Sequence, residues 1–228
     1  MPDPHVHIAV AEQFDDHEQQ HEAAGLGMWI FLATEIMFFG GLFASYAIYR
    51  NLYPTGFLAG SGLLNAKIGA FNTVVLITSS LTMAMAVHSA QLGRRKSLIG
   101  FLILTLILGL VFIGVKLRFE WYHDYITHVA PGFGFHPEGA DLAHIQALHA
   151  SVSAVELFMV FYFFMTGVHA LHMVVGAGIL TTLIIMAWRG RITRDHHNVV
   201  EMAGLYWHFV DIIWIFLFPL LYLLGVHR

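Results

Sequence analysis

Glu35 lies in the stretch TEIMFFGG, His169 and His172 stand three residues apart in TGVHALHM, and Glu201, His208 and Asp211 occupy relative positions 0, 7 and 10 of one apolar run. Carboxylates and imidazoles are the side chains that pass protons and ligate metals. All of these are embedded in apolar sequence, where an ionisable group costs about 2.5 to 3.5 kcal/mol on insertion scales. Each therefore needs a partner or a purpose. Glu35 comes ten residues after Gly25, roughly 15 Å along a helix at 1.5 Å per residue, which is near the middle of a bilayer. It reads as a proton-active carboxyl, as a contact to a neighbouring subunit, or as an acid hydrogen-bonded to an adjacent helix.

His169 and His172 share one helix face. A haem or metal reading would require a ligand at the same depth on another helix, and His208 is geometrically available. Polar bonding between helices accounts for the pair more simply, helped by the small residues Gly167, Ala170, Gly176 and Gly178. Glu201, His208 and Asp211 form one stripe, a functional set or a structural polar seam. Tyr206, Trp207 and Trp214 lie too deep for interfacial anchors and read as packing or donor groups. Asn72 and Thr73 offer an amide and a hydroxyl to a neighbouring helix. Glu120 and Glu156 read as interfacial carboxylates, and Lys116 and Arg118 as side chains that snorkel from a helix end.

The sequence that must position these groups is that of a membrane protein. It has 57% hydrophobic and 11% charged residues and a mean hydropathy of +0.68, against about a quarter charged in soluble domains. The apolar excess is gathered into five runs long enough to cross about 30 Å of hydrocarbon as helix. They are Gly25 to Tyr49, Leu63 to Leu92, Leu98 to Phe119, Val152 to Trp188 and Val199 to Val226. The expected architecture is all-α, a polytopic five-helix transmembrane bundle in a single membrane domain, residues 25–228. Without cysteine there is no disulfide, thiolate site or thiol nucleophile, and a net charge of −4 argues against a nucleic-acid partner.

Residues 1–24 contain six acidic residues, four histidines and no lysine or arginine, so they read as a polar cytoplasmic tail, without the features of a cleaved leader. Arg94, Arg95 and Lys96 follow span two, and Arg189, Arg191 and Arg194 follow span four. The loop over residues 122–151 contains no lysine or arginine. The positive-inside bias then puts the N-terminus in the cytoplasm, the C-terminus in the periplasm and this histidine-rich loop outside. Arg189, Arg191, Arg194, His196 and His197 form a possible headgroup site, since each juxtamembrane basic residue attracts anionic lipid by about 1 kcal/mol. The histidines of the tail and outer loop lack the tight spacing of a metal site and read as solvated. No nucleotide loop, catalytic carboxylate pair or nucleophile triad is present, so no catalytic residue and no metal are assigned.

The segments GLGMWIFLATEIMFFGG, AFNTVV, VKLRFEW, FFMTGVHALHMVVG and HHNVVEMAGLYWHFVDIIWIFLF follow one another in the order of subunit III of the haem–copper terminal oxidases, which the chain resembles over all five spans. The resemblance implies a bacterial inner-membrane subunit that lies against oxidase subunit I, with subunit II in the same complex. That complex reduces oxygen to water and pumps protons in aerobic respiration. It implies that haem and copper belong to the partners and none to this chain, that bound phospholipid is possible, and that the subunit stabilises subunit I and supports proton uptake. Glu35 takes the place of the family's buried carboxyl, His169 and His172 of its paired histidines, and Glu201, His208 and Asp211 of its last-helix seam. The chain begins where the third helix of the seven-helix form would, so it corresponds to the short form, found with cytochrome c and with quinol as donor; the cytochrome c type is the expectation. Two readings from other classes are a haem-binding membrane cytochrome using His169 or His172 with His208, and a transporter built on Glu35, His208 and Asp211.

Overall fold

A computed structural model describes residues 17–132, 134–193 and 197–223. Helix α1 (His17–Leu52) is followed at once by a short α2 (Pro54–Leu63), begun by a proline whose missing N–H costs nothing at a first helical position. Asn65 caps α3 (Ala66–Gln91) by accepting from the Lys67 and Ile68 amides at 3.1 and 3.4 Å. α4 (Arg95–Val115) runs through a π-helical segment (Lys116–Trp121) into α5 (Tyr122–Ile126). The long loop after α5 carries α6 (Gly139–Ala147), and α7 (Val152–Trp188) and α8 (Asn198–Tyr222) follow it. There is no strand among the described residues.

Five helices have the length and apolar composition to cross a membrane, and the protein is a five-transmembrane-helix bundle. The edges differ from those read in the sequence. α1 starts at His17, so the described end of the polar tail is helical; the rest of the tail, with His5 and His7, lies outside the described residues. Leu63 ends α2 instead of opening span two, because the Asn65 cap starts α3 afresh.

α8 is the hub, packed against α3 and α7 and touching α1 and α2. α3 and α4 form a hairpin, and α4 closes the bundle onto α7. Trp207, 1% exposed, lies between α4 and α7: a Cβ added at Gly109 or Gly176 would come within 2.8 Å of its ring. Its Nε1 donates to Ser79 Oγ on α3 at 3.0 Å, so one indole fixes the spacing of three helices around α8. Gly178 has open space beside it and Gly167 has only the Trp121 ring at 3.7 Å, so of the glycines expected to mediate close packing Gly176 alone does so tightly.

α2 packs on the first turns of α7 through Gly56 and Gly60, where an added Cβ would sit 2.4 Å from Ala154 Cβ and 2.3 Å from Phe158 Cδ1. This is the small-xxx-small contact of membrane helices. The α2 end of the bundle also satisfies α8, whose last-turn carbonyls have no partners within the helix. Tyr46 and Ser61 hydroxyls donate to Leu220 and Leu221 carbonyls at 2.9 and 2.8 Å. A Gly60→Ala variant is expected to destabilise the bundle by about 1–3 kcal/mol through overpacking, read as a lower midpoint of detergent-induced unfolding; an unchanged midpoint would show that α2 is not fixed on α7.

The loop between α5 and α7 departs from the solvated segment expected. It buries Val129, Phe135 and Ile145, α6 packs on α2, and the Gly132 amide donates to Glu156 Oε1 at 3.4 Å. Glu156 is thereby a tether for the loop.

Candidate functional site

α1 and α7 bring Glu35 and His172 together at the middle of the bundle. Glu35 is the nineteenth residue of the 36-residue α1, and its Oε2 lies 3.1 Å from His172 Nε2. The other ring nitrogen, Nδ1, sits 2.9 Å from the Val168 carbonyl, which can only accept, so Nδ1 carries a proton. The Glu35–His172 contact then requires one further proton, on the carboxyl or on Nε2. The two side chains are 20% and 16% exposed on the bundle's outer side, and Phe39 and Tyr206 wall the imidazole, with ring centroids at 5.5 and 6.5 Å. Tyr206 also donates to the His172 carbonyl at 2.9 Å, tying α8 to α7 at this level.

His169, the other member of the pair, turns to different work. It is 1% exposed, its Nε2 donates to the Val210 carbonyl of α8 at 3.1 Å, and its ring packs on Phe112 and Trp214 at 5.5 and 5.2 Å. His208 meets neither histidine of α7: its Nδ1 is 2.7 Å from Ser80 Oγ on α3. The three histidines are thus spent on three separate contacts. Among the described residues no three His, Asp or Glu side chains converge on a point that could hold a metal ion.

The stripe on α8 faces α3 along its length, yet its members do not touch one another. Glu201 accepts from Gln91 Nε2 at 2.8 Å and lies 3.1 Å from His197 Nε2 at one end of the helix. Asp211 is 3% exposed beside Ser80 and His208, and neither of its carboxyl oxygens has a hydrogen-bond partner among the described residues. Thr73 Oγ1 accepts from Trp214 Nε1 at 3.1 Å, a bond between α3 and α8. Asn72 makes no such bond: its amide is wholly buried and unbonded.

At the end of the bundle where α2 packs lies a charged cluster that sequence reasoning missed. Lys116 is 2% and Glu120 5% exposed, so neither snorkels nor lies at an interface. The π-helical segment holds them in an ion pair four residues apart. Tyr162 and Tyr222 hydroxyls donate to the same Glu120 oxygen, and the ammonium stands 4.5 Å from the Tyr162 ring centroid and 5.2 Å from the Trp214 ring. The i,i+4 spacing of a lysine and a glutamate was the available signal; the two tyrosines come from α7 and α8, beyond any local pattern.

At the opposite end the two basic loops lie side by side. Gly93 (φ 69°) and Gly190 (φ 75°) each end a helix in a left-handed residue, with paired bonds back into the last turn. Arg95 Nε donates to the Ala187 carbonyl at 2.7 Å and its guanidinium also reaches Trp188 O, capping α7 from the α3–α4 loop. Arg189 and Arg191 are exposed there, whereas Arg194 and His196 lie outside the described residues. A Gly190→Ala change is expected to cost about 1 kcal/mol, measured as a lower unfolding midpoint; an equal midpoint would remove the strain argument.

Residues 8–135 and 142–226 match the family described as cytochrome c oxidase subunit III. The cytochrome bo(3) ubiquinol oxidase subunit 3 of Pseudomonas aeruginosa is 32% identical over 96% of this chain and 95% of its own length. The quinol oxidase subunit 3 of Bacillus subtilis is 31% identical over 88% and 87%. The cytochrome c oxidase subunit 3 of Danio rerio is 32% identical over 93% of this chain and 74% of its own. Five apolar helices in the described residues, polar side chains paired at mid-depth, and a match that runs nearly end to end agree: the chain belongs to the cytochrome c oxidase subunit III family, and is a multi-pass membrane subunit of a terminal oxidase.

Proposed function

We propose that this chain is the non-redox subunit III of a proton-pumping cytochrome c oxidase in a bacterial plasma membrane. It rests against subunit I, with subunit II in the same complex, stabilises subunit I and supports proton uptake, while haem and copper sit in those partners. The observation that carries the reading is the Glu35–His172 contact at 3.1 Å, an acid and an imidazole in hydrogen-bond reach near mid-membrane and still partly exposed at the surface of the bundle. The exposed part of the pair is available to a partner subunit's face. The N-terminus is assigned to the cytoplasm, supported by the joining of both basic loops at one end through Arg95. Exposed Arg189 and Arg191 at that end would hold anionic phospholipid.

A second reading, subunit III of a quinol oxidase, is favoured by the match to 95% of the length of the P. aeruginosa ubiquinol oxidase subunit. Purification through a tag on this chain in mild detergent distinguishes them. Copurification of a haem- and copper-bearing subunit I, with oxygen uptake driven by reduced cytochrome c, is the expected result. Uptake driven by quinol alone would transfer the assignment to the second reading. A coloured chain purified alone would establish a membrane cytochrome instead.

Glu35→Ala leaves the partly buried His172 Nε2 without its partner, a loss below the roughly 1–3 kcal/mol of a fully buried polar group. It is expected to lower either the protons pumped per electron or the content of this subunit in the purified oxidase. If both equal those of the unmodified enzyme, the pair is an inert packing contact.

A further inference from the structure

The groove between α3 and α8 contains Asp211, a buried carboxyl to which the site described above gives no role. It is a cavity of about 350 Å³, with Ser80, His208 and Asp211 among its lining and Ile77, Leu81 and Ile215 as apolar walls. Those three wall residues are 53%, 64% and 45% exposed, as lipid-facing side chains are. Asp211 is not. It is 97% buried by its own chain (3% exposed), and both carboxyl oxygens lack a hydrogen bond among the described residues. Ser80, the nearby hydroxyl, contacts His208 at 2.7 Å and stands close to Asp211 without making a well-formed bond to it. Buried polar groups in folded proteins are almost always bonded, and one left unbonded in the lining of a cavity marks a missing partner.

Depth narrows what that partner is. Asp211 lies thirteen residues into the 25-residue α8, about 20 Å from its start, so it is at the centre of the hydrocarbon. Lipid headgroups stay near the two surfaces, and an acyl chain brings no donor. Water is scarce at this depth. No lysine or arginine of this chain lines the cavity. The remaining source of an N–H or O–H at mid-depth is a side chain on another transmembrane helix.

Resting on the oxidase reading above, we infer that the α3–α8 groove is the face by which this chain docks onto a neighbouring oxidase subunit, receiving a helix that donates a hydrogen bond to Asp211. The apolar walls exclude water from that bond, and His208, held by Ser80, lines the same cavity as a second polar contact. The groove is then an interface core of the usual kind, apolar around a few placed polar groups.

The test uses the intact complex in native membranes. A benzophenone amino acid is placed at Leu81 or Ile215 in the groove wall, and, for comparison, at Met37 on α1 or Val174 on α7. After irradiation this chain is purified and its adducts are identified by peptide mass. The expected result is a covalent adduct to another oxidase subunit from Leu81 and Ile215. Separately, Asp211→Leu is expected to raise the fraction of complexes that lose this subunit in a detergent wash by about tenfold or more, with Asp211→Asn, which keeps an acceptor oxygen, closer to the unmodified chain. Adducts to lipid or to a second copy from the groove probes, with oxidase subunits captured from Met37 or Val174, would overturn the docking face and leave the oxidase reading standing. Absence of every oxidase subunit from the unsubstituted preparation overturns both, and is recognised because it requires no altered residue.

Discussion

Lys116→Met is expected to destabilise the bundle by about 3–5 kcal/mol, the usual cost of removing one partner from a buried ion pair. The reason is in the surroundings. Glu120 is 95% buried (5% exposed), and the two tyrosine hydroxyls that bond its Oε2 leave Oε1 unbonded, so the ammonium is what balances the carboxylate. Asp124, 8% exposed and one turn on, also loses the attraction of the Lys116 charge. Combining Lys116→Met with Glu120→Gln reverses much of the loss, because Glu120 then carries no charge to desolvate and no longer repels Asp124. The measurement is the unfolding midpoint in a denaturing-detergent titration of the purified subunit. A single variant no worse than an Arg189→Ala surface control, or a double variant no better than the single, would show that the cluster is solvated.

The second large effect is expected at Trp207. Trp207→Ala should cost about 3–5 kcal/mol for a buried aromatic, and the coupling to its neighbours should be as informative as the size. In the intact chain a Cβ at Gly176 meets the indole at 2.8 Å, so Gly176→Ala alone overpacks the α7–α8 contact. With the indole gone the same methyl enters a cavity. The double variant is therefore expected to be more stable than the sum of the two losses predicts, a coupling of about 0.5–3 kcal/mol between contacting sites. Strict additivity would mean that the glycine and the ring are not packed together as described. Ser79→Ala, which removes the acceptor of the indole N–H, provides a smaller independent check at about 1 kcal/mol.

Apolar runs of twenty or more residues are a signal that survives without any knowledge of tertiary structure, and the five long helices fall on the five such runs. Depth is legible in the same runs, where counting residues from the span edges puts Glu35 and His172 near mid-membrane. Pairing is not. Glu35 and His172 are 137 residues apart, and no periodicity states which of several buried acids a histidine will face. The misplacement of Lys116 and Glu120 has a specific origin. Their nearness to the end of the run favours an interface, and the tyrosines that make burial tolerable, Tyr162 and Tyr222, come from helices that follow later in the chain. α2 escapes notice because its ten residues, PTGFLAGSGL, are short and rich in glycine, a composition that reads as loop. Its glycines serve contact instead. His208 is a geometrically allowed partner for the α7 histidines, and the serine that takes it, Ser80, carries no signal of its own in the sequence.

Arg95 has a history as well as a position. It is made 92 residues before the Ala187 carbonyl it finally holds, and at 5–20 residues per second that is an interval of roughly 5–20 s during synthesis. Throughout that time its charge has no carbonyl to bind and counts fully, with Arg94 and Lys96, toward keeping the α3–α4 loop on its side of the membrane. Only when α7 arrives with its own arginines is the guanidinium drawn onto Ala187 and Trp188. One residue thus acts first as a sorting charge and afterwards as a latch, and the arrival of α7 converts one role to the other.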